Sequence, residues 1–198
     1  VEQQFMDQQA DEARWVTQAL AGDQSAFTRL VERYTGVVYN QAYRMLHDAQ
    51  EAEDAVQEIF LKAYTRLNTF DSSRRFVNWL LTISSNHCID RLRRRRHTWV
   101  TLDDVAFWLP SSQAGPEYRA LQRERREIVQ HALQQLPEQY RLVMILRYWH
   151  DLAYNEIVEI TGLTESTVKT RLHRGRKMLA EALGSDGETL WNAETMTS

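Results

Sequence analysis

Residues 152–179 read LAYNEIVEITGLTESTVKTRLHRGRKML. A short helical run from Tyr154 to Thr161 meets Gly162, the residue type that most readily takes a left-handed backbone at a helix end. After Leu163, the Thr164 hydroxyl is placed to cap a second helix. Short helix, glycine turn and capped second helix make a helix-turn-helix pattern. The second helix has two faces. Val168, Leu172, Gly175 and Leu179 recur at intervals of four, three and four, so they share the inward face. Ser166, Lys169, Thr170, His173, Arg174 and Lys177 share the opposite one, with Thr167 and Arg171 beside them. From Glu165 to Met178 the sole acidic residue is Glu165, at the N-terminus, where the helix dipole favours a negative charge. A basic face with hydrogen-bonding tips suits the major groove of duplex DNA. A solvated helix packed on its neighbours would show the same two faces.

Composition sets the frame. The chain has 198 residues, 43% hydrophobic and 26% charged, enough for one or two domains with real cores. Only 7 Gly and 3 Pro interrupt a sequence of helix formers with no sustained alternation, so an all-α fold is expected. Cys88 is the sole cysteine, which excludes an internal disulfide and a cysteine metal cage and suits a reducing, cytoplasmic compartment. No apolar run reaches membrane-spanning length, and VEQQFMDQQADE, acidic and polar, is not read as a signal peptide. The net charge of −3 conceals segregation: residues 1–60 carry 4 basic and 11 acidic side chains, a net of −7, whereas residues 61–100 carry 9 and 2, a net of +7. Two surfaces with different partners are expected.

Residues 1–11 read as frayed, and apolar periodicity begins near Ala13. Gly22 and Asp23 punctuate before a long core helix carrying Phe27, Leu30, Tyr34, Val38 and Met45. The next helix, about 50–67, turns Ala52, Ala55, Val56, Ile59, Phe60, Ala63 and Leu67 inward and shows a mostly acidic row, Glu51, Asp54 and Glu58 with Lys62. That row reads as a solvated face or as a docking surface for a basic partner. No histidine joins it at ligand spacing, so no metal is assigned. NTFDSSRR, residues 68–75, is a polar break. In the helix that follows, Phe76, Leu80, Ile83 and His87 take the inward spacing, and Asn78, Asn86, Asp90 and Arg94 fall on other faces. Arg91 and Arg93 to Arg96 are dense enough to bind phosphates. Trp79 and Phe76 read first as core residues and second, with Asn78 and Asn86, as groups for unpaired bases.

Periodicity fails from Thr98 to Pro116 and returns near Glu117. The expected architecture is therefore two small helical domains, 1–97 and 117–183, joined by a flexible linker, 98–116, and followed by a polar tail, 184–198. Nothing gathers an active site. His87 and Cys88 are adjacent on a helix and point about 100° apart, so they are no base–nucleophile pair. On the residues alone, a dimeric helix-turn-helix regulator stays open, as does a nuclease holding a divalent ion on Glu51, Asp54 and Glu58.

Three motifs in fixed order go further: EAEDAVQEIFLKAY at 51–64, FVNWLLTISSNHCIDRLRRRR at 76–96, and LPEQYRLVMILRYWHDLAYNEIVEITGLTESTVKTRLHRGRKML at 136–179. Together the chain resembles a bacterial extracytoplasmic-function sigma factor of the sigma-70 family, over roughly Asp11 to Leu183. The resemblance implies a non-enzymatic, cofactor-free protein that binds core RNA polymerase and directs promoter-specific initiation. It implies polymerase contacts at Asp54, Gln57, Glu58 and Phe60. It implies that the minus-ten element is read as single-stranded DNA, with a flipped base in the loop, by Phe70, Asp71, Ser72, Arg74, Arg75, Asn78, Trp79, Asn86, Asp90, Arg91 and Arg94. The helix-turn-helix would read the minus-thirty-five element as duplex. The linker would run near the polymerase active centre, with Asp103 and Asp104 as a nucleic-acid mimic. An anti-sigma factor is a further partner common in the family. Two positions depart from the family pattern: Val158 stands where a small residue follows the Glu-Ile pair, and Ala153 replaces a Ser or Thr at the helix start.

Overall fold

The computed structural model describes the backbone of residues 2–97 and 116–184. The expected linker, Asp103 and Asp104 included, and the polar tail fall outside those residues, apart from Pro116 and Gly184. The described chain is helical throughout: α1 (Glu2–Leu20), α2 (Gln24–Leu46), α3 (Ala49–Thr65), a 3-10 turn (Leu67–Thr69), α4 (Phe76–His97), α5 (Pro116–Gln135), α6 (Glu138–Tyr148), α7 (Tyr154–Thr161) and α8 (Glu165–Leu183). The all-α expectation holds, and no strand occurs among the described residues. Helix α1 begins at Glu2, well before the apolar periodicity does. The stretch before Ala13 contains no Gly or Pro and is rich in Gln and Glu, so nothing in it strongly opposes helix.

Local chemistry sets most boundaries. Gly22, at φ +95°, ends the α1 turn. Asp23 then caps α2, its Oδ1 accepting from the Ser25 N–H at 2.8 Å and the Ala26 N–H at 3.3 Å. Asp48 caps α3 by accepting from the Glu51 N–H at 2.8 Å. Gly162, at φ +68°, closes α7, and Thr164 Oγ1 accepts the Thr167 N–H at 3.3 Å to open α8. Ala153 has no acceptor to offer α7. The Glu156 carboxylate supplies the reciprocal half of a capping box instead, taking the Ala153 N–H at 2.9 Å.

Two groups of helices result. In the first, α2 packs against α1, α3 and α4; in the second, α8 packs against α5, α6 and α7. Leu30, Val38, Met45, Ile59 and Leu80 are fully buried in the first. Leu133, Met144, Ile145, Ile157 and Val168 are fully buried in the second. Each such side chain contributes about 1.5–3 kcal/mol of apolar burial. Phe76 (1% exposed) and His87 (4%) take the inward places that their spacing assigns.

The C-terminus of α2 ties the groups together. The last carbonyls of a helix lack intrahelical donors. Tyr43 O takes the His47 N–H at 2.8 Å, and Gln130 Nε2 donates to Tyr43 O at 3.2 Å and Arg44 O at 3.3 Å. Arg141 donates to Met45 O at 2.5 Å, and Arg95 to Leu46 O at 3.0 Å. Arginines there also meet the negative end of the helix dipole. Arg141, only 8% exposed, further donates to Gln134 O and Leu136 O, and the Arg44 guanidinium lies 4.3 Å from the Trp149 ring centroid.

Candidate nucleic-acid interface

On α8 the two faces are as the spacing requires. Val168, Leu172 and Leu179 are at most 2% exposed, and Gly175 is buried with them. A Cβ at Gly175 would lie 2.9 Å from Met144 Cγ, so the absence of a side chain lets α8 press on α6. Ser166, Lys169, Thr170, His173, Arg174 and Lys177 are exposed, and Thr167 and Arg171 half-buried. A cleft of about 320 Å³ runs beside this face, lined by Gln139, Tyr140, Ser166, Thr167, Thr170, Arg171 and Arg174. Gln139 and Tyr140 come from the first turn of α6 and had no local signal in the sequence; packing brings them to α8. Lys169 is held by Glu165 at 2.6 Å, which keeps its ammonium pKa above the ordinary lysine value. Among the described residues Arg171 and Arg174 enter no ion pair, so two positive charges beside the cleft are uncompensated.

The second cluster surrounds the start of α4. Phe70, Phe76 and Trp79 form an aromatic triangle with every centroid pair 5.5 Å apart. Phe76 is its buried corner, while Phe70 and Trp79 stay half-buried at its edge. Asp71, Ser72, Arg74 and Arg75 are exposed. Asp71 accepts the Ser73 N–H at 2.9 Å, a bond that holds its carboxyl below the usual range and folds the loop on itself. Asn86, Asp90 and Arg94 are exposed and recur every four residues, so they form one stripe farther along α4.

Asn78 is a correction. It is 2% exposed and lies against α7, where its Nδ2 donates to Glu156 Oε1 and Glu159 Oε2, each at 3.3 Å. Arg75 donates to Glu156 Oε1 at 2.9 Å, and Arg74 lies 3.5 Å from Glu159 Oε1. Burial works against the Glu156 carboxylate, but the Ala153 N–H, Asn78 and Arg75 together hold its pKa below the usual range. Glu156 and Glu159 are residues that the sequence reading missed, because 78 or more positions separate them from their partners.

The acidic and basic segments are also less separate than their sequence blocks imply. Arg91 donates to Glu58 at 2.9 Å and to Glu51 O at 2.8 Å, and Arg95 lies 3.3 Å from Glu51. His87 Nδ1 meets Lys62 Nζ at 2.7 Å, and burial, then Lys62, lowers the His87 pKa. Thus Glu58 and Arg91, expected on different surfaces, bond to each other. Asp54 and Gln57 are exposed, but Phe60 is 7% exposed and packs inward, so it backs the α3 face instead of lying on it. Leu61 (64% exposed) and Tyr64 (43%) continue the outward line of Asp54 and Gln57 at intervals of four and three. Among the described residues no cluster of His, Cys, Asp and Glu could hold a metal ion, and no helix is long and apolar enough to cross a membrane.

The sequence matches two family descriptions, Sigma-70 region 2 over residues 30–98 and Sigma-70 region 4 over residues 126–179. It is 36% identical over 176 residues to the ECF RNA polymerase sigma factor SigW of Bacillus subtilis, spanning 85% of this chain and 94% of that one. The chain belongs to the ECF sigma factors of the sigma-70 family. Other relatives of this sigma factor are the sigma-H factor of Pseudomonas aeruginosa, 33% identical across 88% and 95% of the two chains, and the sigma-E factor of Escherichia coli, 31% identical across the same shares. Among solved structures, CnrH in complex with the cytosolic domain of CnrY superposes with a TM-score of 0.65 at 28% identity, over 89% of this chain and 99% of that one. RpoE of Bartonella quintana, bound to the anti-sigma factor NepR, shares the fold at a TM-score of 0.66, 24% identity and 81% and 98% coverage. This sigma factor is thus a DNA-binding transcription initiation factor that recognises promoters, and not an enzyme.

Proposed function

We propose that this sigma factor carries core RNA polymerase to promoters and reads two elements in two physical states. The basic face of α8, with Arg171 and Arg174 outside any ion pair among the described residues and beside its cleft, carries the proposal. It fits the major groove of an intact minus-thirty-five duplex, Ser166, Thr167, Lys169, Thr170, His173 and Arg174 reaching base edges or phosphates while Arg171 and Lys177 flank them. Gln139 and Tyr140 add contacts from the first turn of α6. The minus-ten element is read as a single strand at the start of α4. Phe70 and Trp79 offer a stacking edge, Arg74, Arg75 and Asn78 offer donors, and Asn86, Asp90 and Arg94 continue the path, with Arg91 behind them. Asp71 and Ser72 shape the loop that takes a flipped base. Core polymerase docks on the α3 line of Asp54, Gln57, Leu61 and Tyr64, with Glu58 at its edge. The likeness to CnrH bound by CnrY favours an anti-sigma factor as a further partner. No cofactor is assigned.

The test is transcription in vitro with core polymerase on a library of genomic fragments, with and without this protein. New start sites sharing two upstream elements are expected. Arg174→Ala should weaken binding to the upstream duplex element by about 1–3 kcal/mol if the guanidinium grips a base, and less, with a smaller salt slope, if it grips a phosphate. Binding of a dimer to duplex DNA with no polymerase-dependent initiation would replace the proposal with a stand-alone regulator.

A further inference from the structure

Helix α4 opens the strand-reading site, yet the residue before it cannot cap it. Arg75 carries donors only. Asp71, the carboxylate of the same loop, is spent on the Ser73 N–H. The first amide of α4 is met instead from α1: the Phe76 N–H donates to the Glu12 carboxylate. The hydroxyl of Tyr34, on α2, donates to the same carboxylate. The Tyr34 ring also packs on the Phe76 ring, with centroids 5.6 Å apart and planes inclined at 44°. Glu12, Tyr34 and Phe76 thus close a ring of contacts among three helices. Tyr34 and Phe76 are buried in it and Glu12 is half-buried. Burial raises the Glu12 pKa above the ordinary carboxylate value, and Arg33, the Phe76 N–H and Arg75 pull it partly back. A carboxylate drawn out of water costs stability unless donors meet it. Here an amide and a phenol donate to it, with two guanidiniums nearby.

Phe76 is the corner on which Phe70 and Trp79 both lean, each ring centroid 5.5 Å from its own. A shift in the first turn of α4 therefore moves both half-buried rings. We propose that Glu12 is a positioning residue for reading the minus-ten strand: steadied by Tyr34, it caps α4 from α1 and so fixes where Phe70 and Trp79 present their stacking edge. The proposal rests on the strand-reading assignment of those two rings. Glu12 touches no base; it acts through Phe76. A cap governs the first turn of its helix, so its loss falls on the aromatic edge and leaves α8 and its cleft alone. Electrostatics alone would give the opposite sign. Removing a negative charge beside DNA strengthens binding, whereas a misplaced edge weakens it.

The experiment uses the full chain bound to core polymerase and two fluorescein-labelled probes from a promoter found in the initiation screen, read by anisotropy. One probe is pre-opened across the minus-ten element; the other is the intact upstream duplex element. Glu12→Ala is expected to weaken binding to the open probe roughly tenfold and to leave the duplex probe unchanged. Glu12→Gln, which keeps an acceptor for both donors, should restore most of that affinity. Tyr34→Phe keeps the ring on Phe76 and removes the hydroxyl; it should give a smaller loss, and no further loss when Glu12 is already alanine. The control Glu32→Ala, on an exposed face of α2, should not weaken binding to the open probe. Equal losses on both probes would overturn the proposal, because general destabilisation would then account for them. Equal losses in Glu12→Ala and Glu12→Gln would overturn it too, since the bond to Phe76 would not be the cause. Trp79→Ala separates the two levels of the argument. If it leaves binding to the open probe unchanged, the strand-reading assignment falls and the positioning role with it. If it weakens that binding while Glu12→Ala does not, the positioning role alone falls.

Discussion

Gly175 gives the sharpest quantitative test of the helix-turn-helix packing. It sits in the interior of α8, where alanine would gain about 1 kcal/mol over glycine from backbone entropy alone. Its surroundings oppose that gain. The added Cβ would stand 2.9 Å from Met144 Cγ, 3.0 Å from Met144 Sδ and 3.8 Å from Leu136 Cδ2. Met144 is fully buried and Leu136 1% exposed, so neither side chain can swing into solvent. Overpacking of this kind costs about 1–3 kcal/mol. Gly175→Ala is therefore expected to destabilise the protein by about 1 kcal/mol net. Urea unfolding followed by circular dichroism reads this as a lower midpoint at constant slope. The contact can be isolated with Met144→Ala, which alone costs about 2–5 kcal/mol through the cavity it leaves. In the double variant the new Cβ grows into that cavity, and a favourable coupling of about 1 kcal/mol or more is expected. Stabilisation by the full helix-propensity gain, or strict additivity in the cycle, would refute the reasoning.

Arg141→Ala strips donors from the carbonyls of Met45, Gln134 and Leu136. A loss of about 3 kcal/mol is expected in thermal unfolding, and an unchanged curve would show that water replaces those bonds freely. His150 is held neutral, its pKa lowered to about 4 by burial and then by Arg44, and its Nε2 has no hydrogen-bond partner among the described residues. The unfolded chain therefore takes a proton as pH falls from about 6.5 to 4, while the folded chain does not. The His150 contribution is complete above pH 6.5 and is lost on acidification through that window, on the order of 3 kcal/mol at the low end. A His150→Phe variant should flatten the urea midpoint over this range; an identical slope with and without the imidazole would dismiss the site as its source. Cys88 is fully buried, and burial pushes its thiol up to about 12. A disulfide reagent at about pH 8 should label it only as fast as the protein unfolds, and rapid labelling of native protein would contradict its place in the core.

The features that were legible in the sequence are those written in local spacing. The buried line of Val168, Leu172, Gly175 and Leu179 and the caps at Asp23 and Thr164 each depend on residues within a turn or two. Phe76, Leu80, Ile83 and His87 were legible in the same way. Contacts that join distant segments had no such mark. The burial of Asn78 depends on carboxylates 78 and 81 positions away, and the α4 helix carries polar groups around its circumference, so periodicity alone placed it on an outer face. The blocks of opposite charge were visible, but not that Arg91 and Arg95 would turn back onto α3. Phe60 was legible from its spacing, which sets it on the inward face beside Ile59, where the structure buries it; only the polymerase contact that the resemblance implies set it on the outside.

The cluster at the end of α2 has a consequence for how this chain can vary. Gln130, Arg141 and Arg95 grip peptide oxygens, and every amino acid supplies one. Substitutions at Tyr43, Arg44 or Met45 leave that part of the attachment in place, whatever else they disturb. The attachment measures length instead. Removing one residue from the middle of α2 would draw its end back by about 1.5 Å and rotate it by roughly 100°, turning the oxygens away from all three donors at once. In a set of divergent chains built on this plan, α2 should therefore drift in spelling while keeping its residue count, and an insertion or deletion there should be tolerated only where the two helix groups no longer meet.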